Sequence, residues 1–345
     1  TVGRGRNHLL QGMALITTGV PAPGEGVYWR DGIIDMWDAG AQYTPFSSTI
    51  NLVLQLKGRV DFPPEKRANL ETVDLIGGSI YSQEYNLAAR AAGFRVADYL
   101  AAATRELEPE DLEVFELGKI DHSLPRVAYA CQVHVNRWVY GEKIGWQPVL
   151  LHPNEMMDGA MYSSFMGPAN SRDSSYIYQN HAIVRELYRR HGVDLNFLGL
   201  VLWYYGRTAV WEKERTLDSG VKLLKMLSAD GVVLTWIGDG HSGVDIMMLC
   251  QKCENAGIKT TLLSPEMALT PDDPGFVHFV PEADAIVSTG NYEMKVTLPP
   301  ADKVLGGATL SVPELDASGS LPLSLRYIYA STSPLGYGKL TGVQY

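Results

Sequence analysis

Residues 236–245 read Trp-Ile-Gly-Asp-Gly-His-Ser-Gly-Val-Asp, placing one histidine, two carboxylates and three glycines within ten positions. Glycine lets a backbone turn tightly and approach a ligand, and a helix opening after such a turn offers unpaired N–H groups to an anion. Gly238, Gly240 and Ser242 would supply that approach, with His241 and Asp239 as acid–base or ligand-orienting groups. Phosphate suits the loop poorly, because no Gly-Lys-Ser/Thr step follows and Asp239 would repel it. A small carboxylate suits it better. The competing reading is an ordinary strand-to-helix turn capped by Ser242 or Asp245.

Three other groups of residues could carry chemistry. Trp203, Tyr205 and Trp236, with Tyr204, stand at expected strand ends, where ring faces could hold an ammonium group. The alternative is that they are core lids or subunit contacts. Glu155 and Asp158, with His152, could orient a substrate or move a proton; otherwise they belong to a capped turn leading to Met161. Cys250 and Cys253 form a Cys-x-x-Cys pair well inside an expected helix. One pair supplies half of a tetrahedral metal site and the chain has no second pair, so buried structural thiols are the reading and no metal is assigned.

The elements that must position these residues change character along the chain. Residues 50–56 read as a strand, a helix runs from an N-cap at Ser82 to about Arg105, and residues 112–117 alternate like a strand. After a polar, proline-ended boundary at 121–125, strands and helices alternate. Strands are expected at 127–133, 198–203, 231–237, 258–263 and 285–288, and helices at 181–191, 217–227 and 244–256, the last closed by Gly257. The pattern is that of a Rossmann-like α/β fold: a parallel or mixed sheet flanked by helices over residues 123–345, preceded by an α+β portion over 1–122. Ligands of open α/β sheets sit beyond the C-terminal strand ends, which selects the loops after residues 203, 236, 263 and 288.

Composition narrows the partners. The 345 residues are 46% apolar and 20% charged, as in globular proteins, and a net charge of −10 without a basic cluster argues against nucleic acid. Three cysteines, no secretory segment and no spanning apolar run point to a soluble protein of the reducing cytoplasm.

Residues 151–160, Leu-His-Pro-Asn-Glu-Met-Met-Asp-Gly-Ala, carry a further signal. They resemble the approach to the self-processing site in the proprotein subunit of glycine, sarcosine and betaine reductase component B. Segments 1–8, 32–36, 84–90, 187–196, 245–253, 281–288 and 336–341 resemble the same family in the same order, so the likeness covers nearly the whole chain. The family also has a β-rich segment ahead of the part that corresponds to residue 1.

The resemblance implies that a cysteine shortly after the Met-Asp-Gly-Ala step is cleaved and becomes a pyruvoyl group. Met166 stands at about that place, and no cysteine occurs between Cys131 and Cys250. A thioether cannot perform the N-to-S acyl shift, so no cofactor is assigned and Met166 is read as lining the substrate site. Ser163 or Ser164 could in principle self-cleave through an ester instead. In the family the pyruvoyl carbonyl captures a substrate amine, and a partner subunit's thiol or selenol attacks the adjacent carbon. The resemblance therefore implies a small amine or betaine-like ligand and a second reductase subunit in an oligomer. A non-catalytic, structural or regulatory subunit is the alternative, and recruitment to other, possibly metal-assisted chemistry around His241 a third.

Overall fold

The computed structural model describes residues 2–18, 32–56, 80–133, 137–143, 145–163, 169–204, 208–236, 240–267, 275–311, 314–338 and 340–343. The first part holds β1 (Met13–Thr18), β2 (Ile50–Gln55) and α1 (Ile80–Ala102). There follow β3 (Arg126–Val133), β4 (Arg137–Val139), β5 (Glu142–Lys143), β6 (Val149–Leu151), α2 (Pro153–Met157) and β7 (Met161–Ser163). Next come α3 (Ser175–Gln179), α4 (Ala182–Arg190), β8 (Asn196–Tyr204), α5 (Val210–Met226), β9 (Gly231–Thr235), α6 (His241–Asn255) and β10 (Lys259–Glu266). The chain closes with β11 (Ile286–Asn291), β12 (Lys295–Leu298), β13 (Thr309–Ser311), β14 (Glu314–Asp316), β15 (Leu321–Ser324) and β16 (Thr341–Val343).

Seven strands form the central sheet in the order β16-β11-β10-β9-β3-β8-β6. The five inner strands are parallel, and β16 and β6 pair antiparallel at the edges, so the sheet is mixed. Counted in chain order, the parallel strands lie 2-1-3-4-5, a doubly wound arrangement. The order reverses between β3 and β9, and such a switch point opens a crevice at the C-terminal strand ends.

Inner strands buried on both faces must be apolar throughout, which is why β3 and β8 carry runs such as Val-Ala-Tyr-Ala-Cys and Leu-Val-Leu-Trp. One face packs Ala128, Ala130, Val201, Leu234 and Leu262 under α5 and α6, through Leu217, Leu224, Ile246, Leu249 and Cys250. The other packs Tyr129, Cys131, Leu200 and Leu202 under α3 and α4, through Ile177, Val184 and Leu187. Phe197 and Leu200 both belong to this second face because β8 carries an extra residue there, taken up by Gly199 at φ 129°. A smaller cluster lies between β12 and β15 and includes Ile33, Tyr43, Leu325 and Ile328.

Several sequence expectations change, and the helix expected from 217 begins at Val210. Residues 112–117 are extended but join no strand ladder: Phe115 stacks on Tyr188 of α4 at 5.4 Å, Asn154 donates to the Phe115 carbonyl, and Glu113 pairs with Arg185. Phe115 and Leu117 are half-buried there, while Leu112 and Val114 are exposed. Ser82 lies inside α1, which already includes Ile80, so it is not the cap. The strand expected to reach Ile237 ends at Thr235, and α6 begins at His241, three residues earlier than expected, with Gly240 as its N-cap. Neither Ser242 nor Asp245 caps it.

Candidate functional site

The switch point puts Gln132, at the end of β3, beside Ser242 of α6, whose carbonyl accepts a hydrogen bond from Gln132 Nε2 at 3.2 Å. Gly240 turns the chain at φ 63° and offers no side-chain cap, so the first N–H groups of α6 keep no side-chain partner from it. His241 is exposed in this first turn, while Ser242 is fully buried. Asp239 and Gly238 lie outside the described residues, as do Tyr205 and Met166.

Beneath the turn sits a buried ion pair. Lys213 of α5 contacts Asp245 of α6 with both side chains about 5% exposed or less, and Lys213 Nζ also donates to the His241 carbonyl at 3.4 Å. Burial pushes the Asp245 carboxyl above the usual carboxylate range, and the hydrogen bond and charge of Lys213 offset only part of that. The pair ties the first turn of α6 to α5 and so fixes where His241 stands.

The indoles expected at a cage are core residues. Trp203 is 2% exposed and Trp236 is fully buried, both within the cluster under α5 and α6. Trp236 Nε1 donates to Ser264 Oγ at 2.9 Å, and its ring lies so close to Gly243 that a Cβ there would sit 3.3 Å away. Trp236 thus spans from the α6 turn to the end of β10. There Glu266 accepts a hydrogen bond from the Ser288 hydroxyl of β11. Gln132 is not singled out by sequence, its one signal being a polar residue near the end of an otherwise apolar strand; Glu266 stands in one of the selected loops without a role of its own.

Glu155 and Asp158 have other partners. Glu155 closes a capping box on α2, accepting the His152 N–H at 2.7 Å, and accepts the Tyr140 hydroxyl, whose pKa desolvation and that carboxylate push up to about 12. Asp158 accepts the Gly3 N–H at 2.6 Å and the Asn7 side-chain amide. Glu155 thus ties the start of α2 to the β4–β5 turn, and Asp158 holds the N-terminal segment.

On the opposite face a second polar group is sealed. Tyr129 Oη lies 3.2 Å from His181 Nε2 and 2.8 Å from Thr235 Oγ1, all fully buried. The backbone N–H of Val184 points at His181 Nδ1 at 3.5 Å, so that nitrogen accepts and the proton sits on Nε2. Desolvation lowers the imidazole to about 3 and keeps it neutral. The turn Ala169–Ser171 is buried in the core and bonded to the 330–332 backbone. Asn170 Nδ2 donates to Thr332 Oγ1 at 2.7 Å.

The cysteines are buried in β3 and α6, and burial pushes the Cys250 and Cys253 thiols up to about 11 and about 12, the inert state expected of structural thiols. Among the described residues no three His, Cys, Asp or Glu side chains cluster as metal ligands, and no helix is long and apolar enough to cross a membrane.

A doubly wound sheet with polar residues at its switch point defines an α/β protein. Comparison with known proteins is more specific. The family model for glycine/sarcosine/betaine reductase component B subunits matches residues 1–342. The chain belongs to that family. It is 31% identical to the glycine reductase complex component B subunits alpha and beta of Acetoanaerobium sticklandii, over all of this chain and 80% of that protein. It is 33% identical to the sarcosine reductase complex component B subunit alpha of Peptoclostridium acidaminophilum, over 99% of this chain and 79% of that protein. The betaine reductase complex component B subunit alpha of the same organism is 32% identical, over 88% and 68%. No solved structure matches.

Proposed function

We propose that this chain is the substrate-binding subunit of a component-B-like reductase complex, taking a small amine, amino acid or betaine-like molecule for reductive C–N cleavage or related chemistry. The observation that carries the reading is the switch-point rim, where the first turn of α6, opened by a glycine N-cap, and exposed His241 meet the end of the parallel sheet. The ligand carboxylate would lie against the α6 N–H groups, with His241 orienting it or moving a proton and Asp239 close by in sequence. A partner subunit's thiol or selenol would attack the carbon next to nitrogen, and the amine would leave with the bonding electron pair. The relatives' names as reductase complex components support such a partner.

The residues do not fit a cysteine-derived pyruvoyl group. The chain has no cysteine from 132 to 249, and Ser163 ends β7 with its backbone paired to Arg137 in a strand ladder. Activation would then rest on charge and hydrogen bonding at the rim or on the partner. The test is the intact denatured mass with and without a carbonyl-trapping hydrazine. One unmodified chain is expected; two fragments, one carrying a hydrazone, would restore an imine mechanism and overturn this reading. A purely structural subunit is the second reading, favoured by the engagement of Glu155 in a helix capping box and of Asp158 in holding the N-terminal segment. It predicts no saturable thermal shift of the chain with glycine, sarcosine or betaine.

A further inference from the structure

Glu266 ends β10 at the C-terminal edge of the sheet, where β11 carries an extra residue. Gly290, at φ 112°, absorbs it, and the shifted ladder sets Glu266 opposite Asn291 rather than continuing the register of Ser264 with Ser288. Bulges of this kind re-aim side chains at the rims of sheets. The Glu266 carboxylate is fixed in its aim: Ser288 donates to Oε1 and is itself held by the Gly290 N–H at 3.2 Å, while the Glu266 carbonyl accepts Tyr292 N–H at 2.9 Å.

This carboxylate is only half-buried, and no lysine, arginine or histidine among the described residues pairs with it. The other described candidate carboxylates differ. Asp245 already holds Lys213, Glu155 accepts from His152 and Tyr140, and Asp158 holds the N-terminal segment. Glu266 also shares its rim with the α6 turn: Ser264, two residues before it, accepts the Trp236 indole that packs under Gly243. Adjacent strands are about 4.8 Å apart, so one small zwitterion can reach from the start of α6 to the end of β10.

We propose that Glu266 receives the cationic nitrogen of the ligand, with Ser288 as its positioning residue; this rests on the reading of the rim as the ligand site. An oriented carboxylate without a cation is complementary to an ammonium, whether primary or quaternary, and gives no purchase to an uncharged group of equal shape.

The test uses the whole chain and calorimetric titration with betaine and with 3,3-dimethylbutanoate, which replaces the quaternary nitrogen by carbon and keeps the carboxylate. Wild type is expected to prefer betaine by about tenfold or more, the scale of one charge-assisted contact. Glu266→Gln, which keeps the side-chain shape and the acceptor for Ser288, should erase that preference and leave the affinity for 3,3-dimethylbutanoate unchanged. Ser288→Ala should reduce the preference by less. If Glu266→Gln keeps the full preference for betaine, the assignment of Glu266 is overturned while the rim remains the ligand site. If wild type binds neither compound, the ligand-site reading and the assignment fall together.

Discussion

Lowering the pH from 7 to 5 should weaken this fold through one side chain, His181. Its ring is fully buried between Tyr129 and the start of α4, with Nε2 3.2 Å from Tyr129 Oη, and desolvation lowers its pKa to about 3. The unfolded chain takes up a proton on this residue below about 6.5, whereas the folded chain stays neutral until about 3. Below 6.5 the unfolded state therefore binds more protons, so the contribution is fully present above that value and is lost as pH falls towards 3. Linkage sets the slope at about 1.4 kcal/mol per pH unit, and the change from pH 7 to pH 5 comes to about 2 kcal/mol. Other groups titrate over the same range, so the quantity to measure is a difference. Urea unfolding followed by tryptophan fluorescence, at both pH values, should show wild type losing about 2 kcal/mol more than His181→Gln. Equal losses in the two proteins would refute the assignment of a neutral, sealed imidazole.

Two further perturbations test the packing that sets up the rim. Lys213→Met strands the Asp245 carboxyl in the core and should cost about 3–5 kcal/mol in urea unfolding, and adding Asp245→Leu should recover most of it. If the double variant is no more stable than the single one, the pair does not act as a unit. Gly338→Ala would put a Cβ 2.7 Å from the Ser331 carbonyl oxygen and 2.9 Å from that of Thr289, neither of which can swing away. A loss of about 1–3 kcal/mol is expected from calorimetric melting, and an unchanged Tm would show that this turn is looser than described.

The parallel sheet was legible because strands covered on both faces must be continuously apolar, and β3, β8 and β9 were placed with ends differing by at most two residues. The start of α6 was read late for a physical reason: His-Ser-Gly has no apolar periodicity, and the cap is a glycine whose role lies in its backbone angle. The segment 112–117 differs because its cover comes from side chains packed on Phe115 and Leu117, while Leu112 and Val114, which complete the alternation, face solvent. Roles set by distant partners were beyond spacing altogether. Asp158 answers to Gly3, 155 positions away, and nothing around residue 158 announces it. Trp203 and Trp236 show the converse limit, since an indole that closes a core and one that faces a cation are spelled alike. The loop ending in Glu266 was selected as a strand end, but the carboxylate stands out only once Ser288 and the bulge are seen beside it.

The connection from β3 to β8 holds the stretch 164–168 between two independent moorings. On one side β7 is laddered to β4. On the other, the turn Ala169–Ser171 is bonded to the backbone at Ala330 and Thr332. Were the backbone cut between these moorings, the two pieces would stay together as one particle through the sheet they share, with β3 and β6 on one piece paired to β8 and β9 on the other.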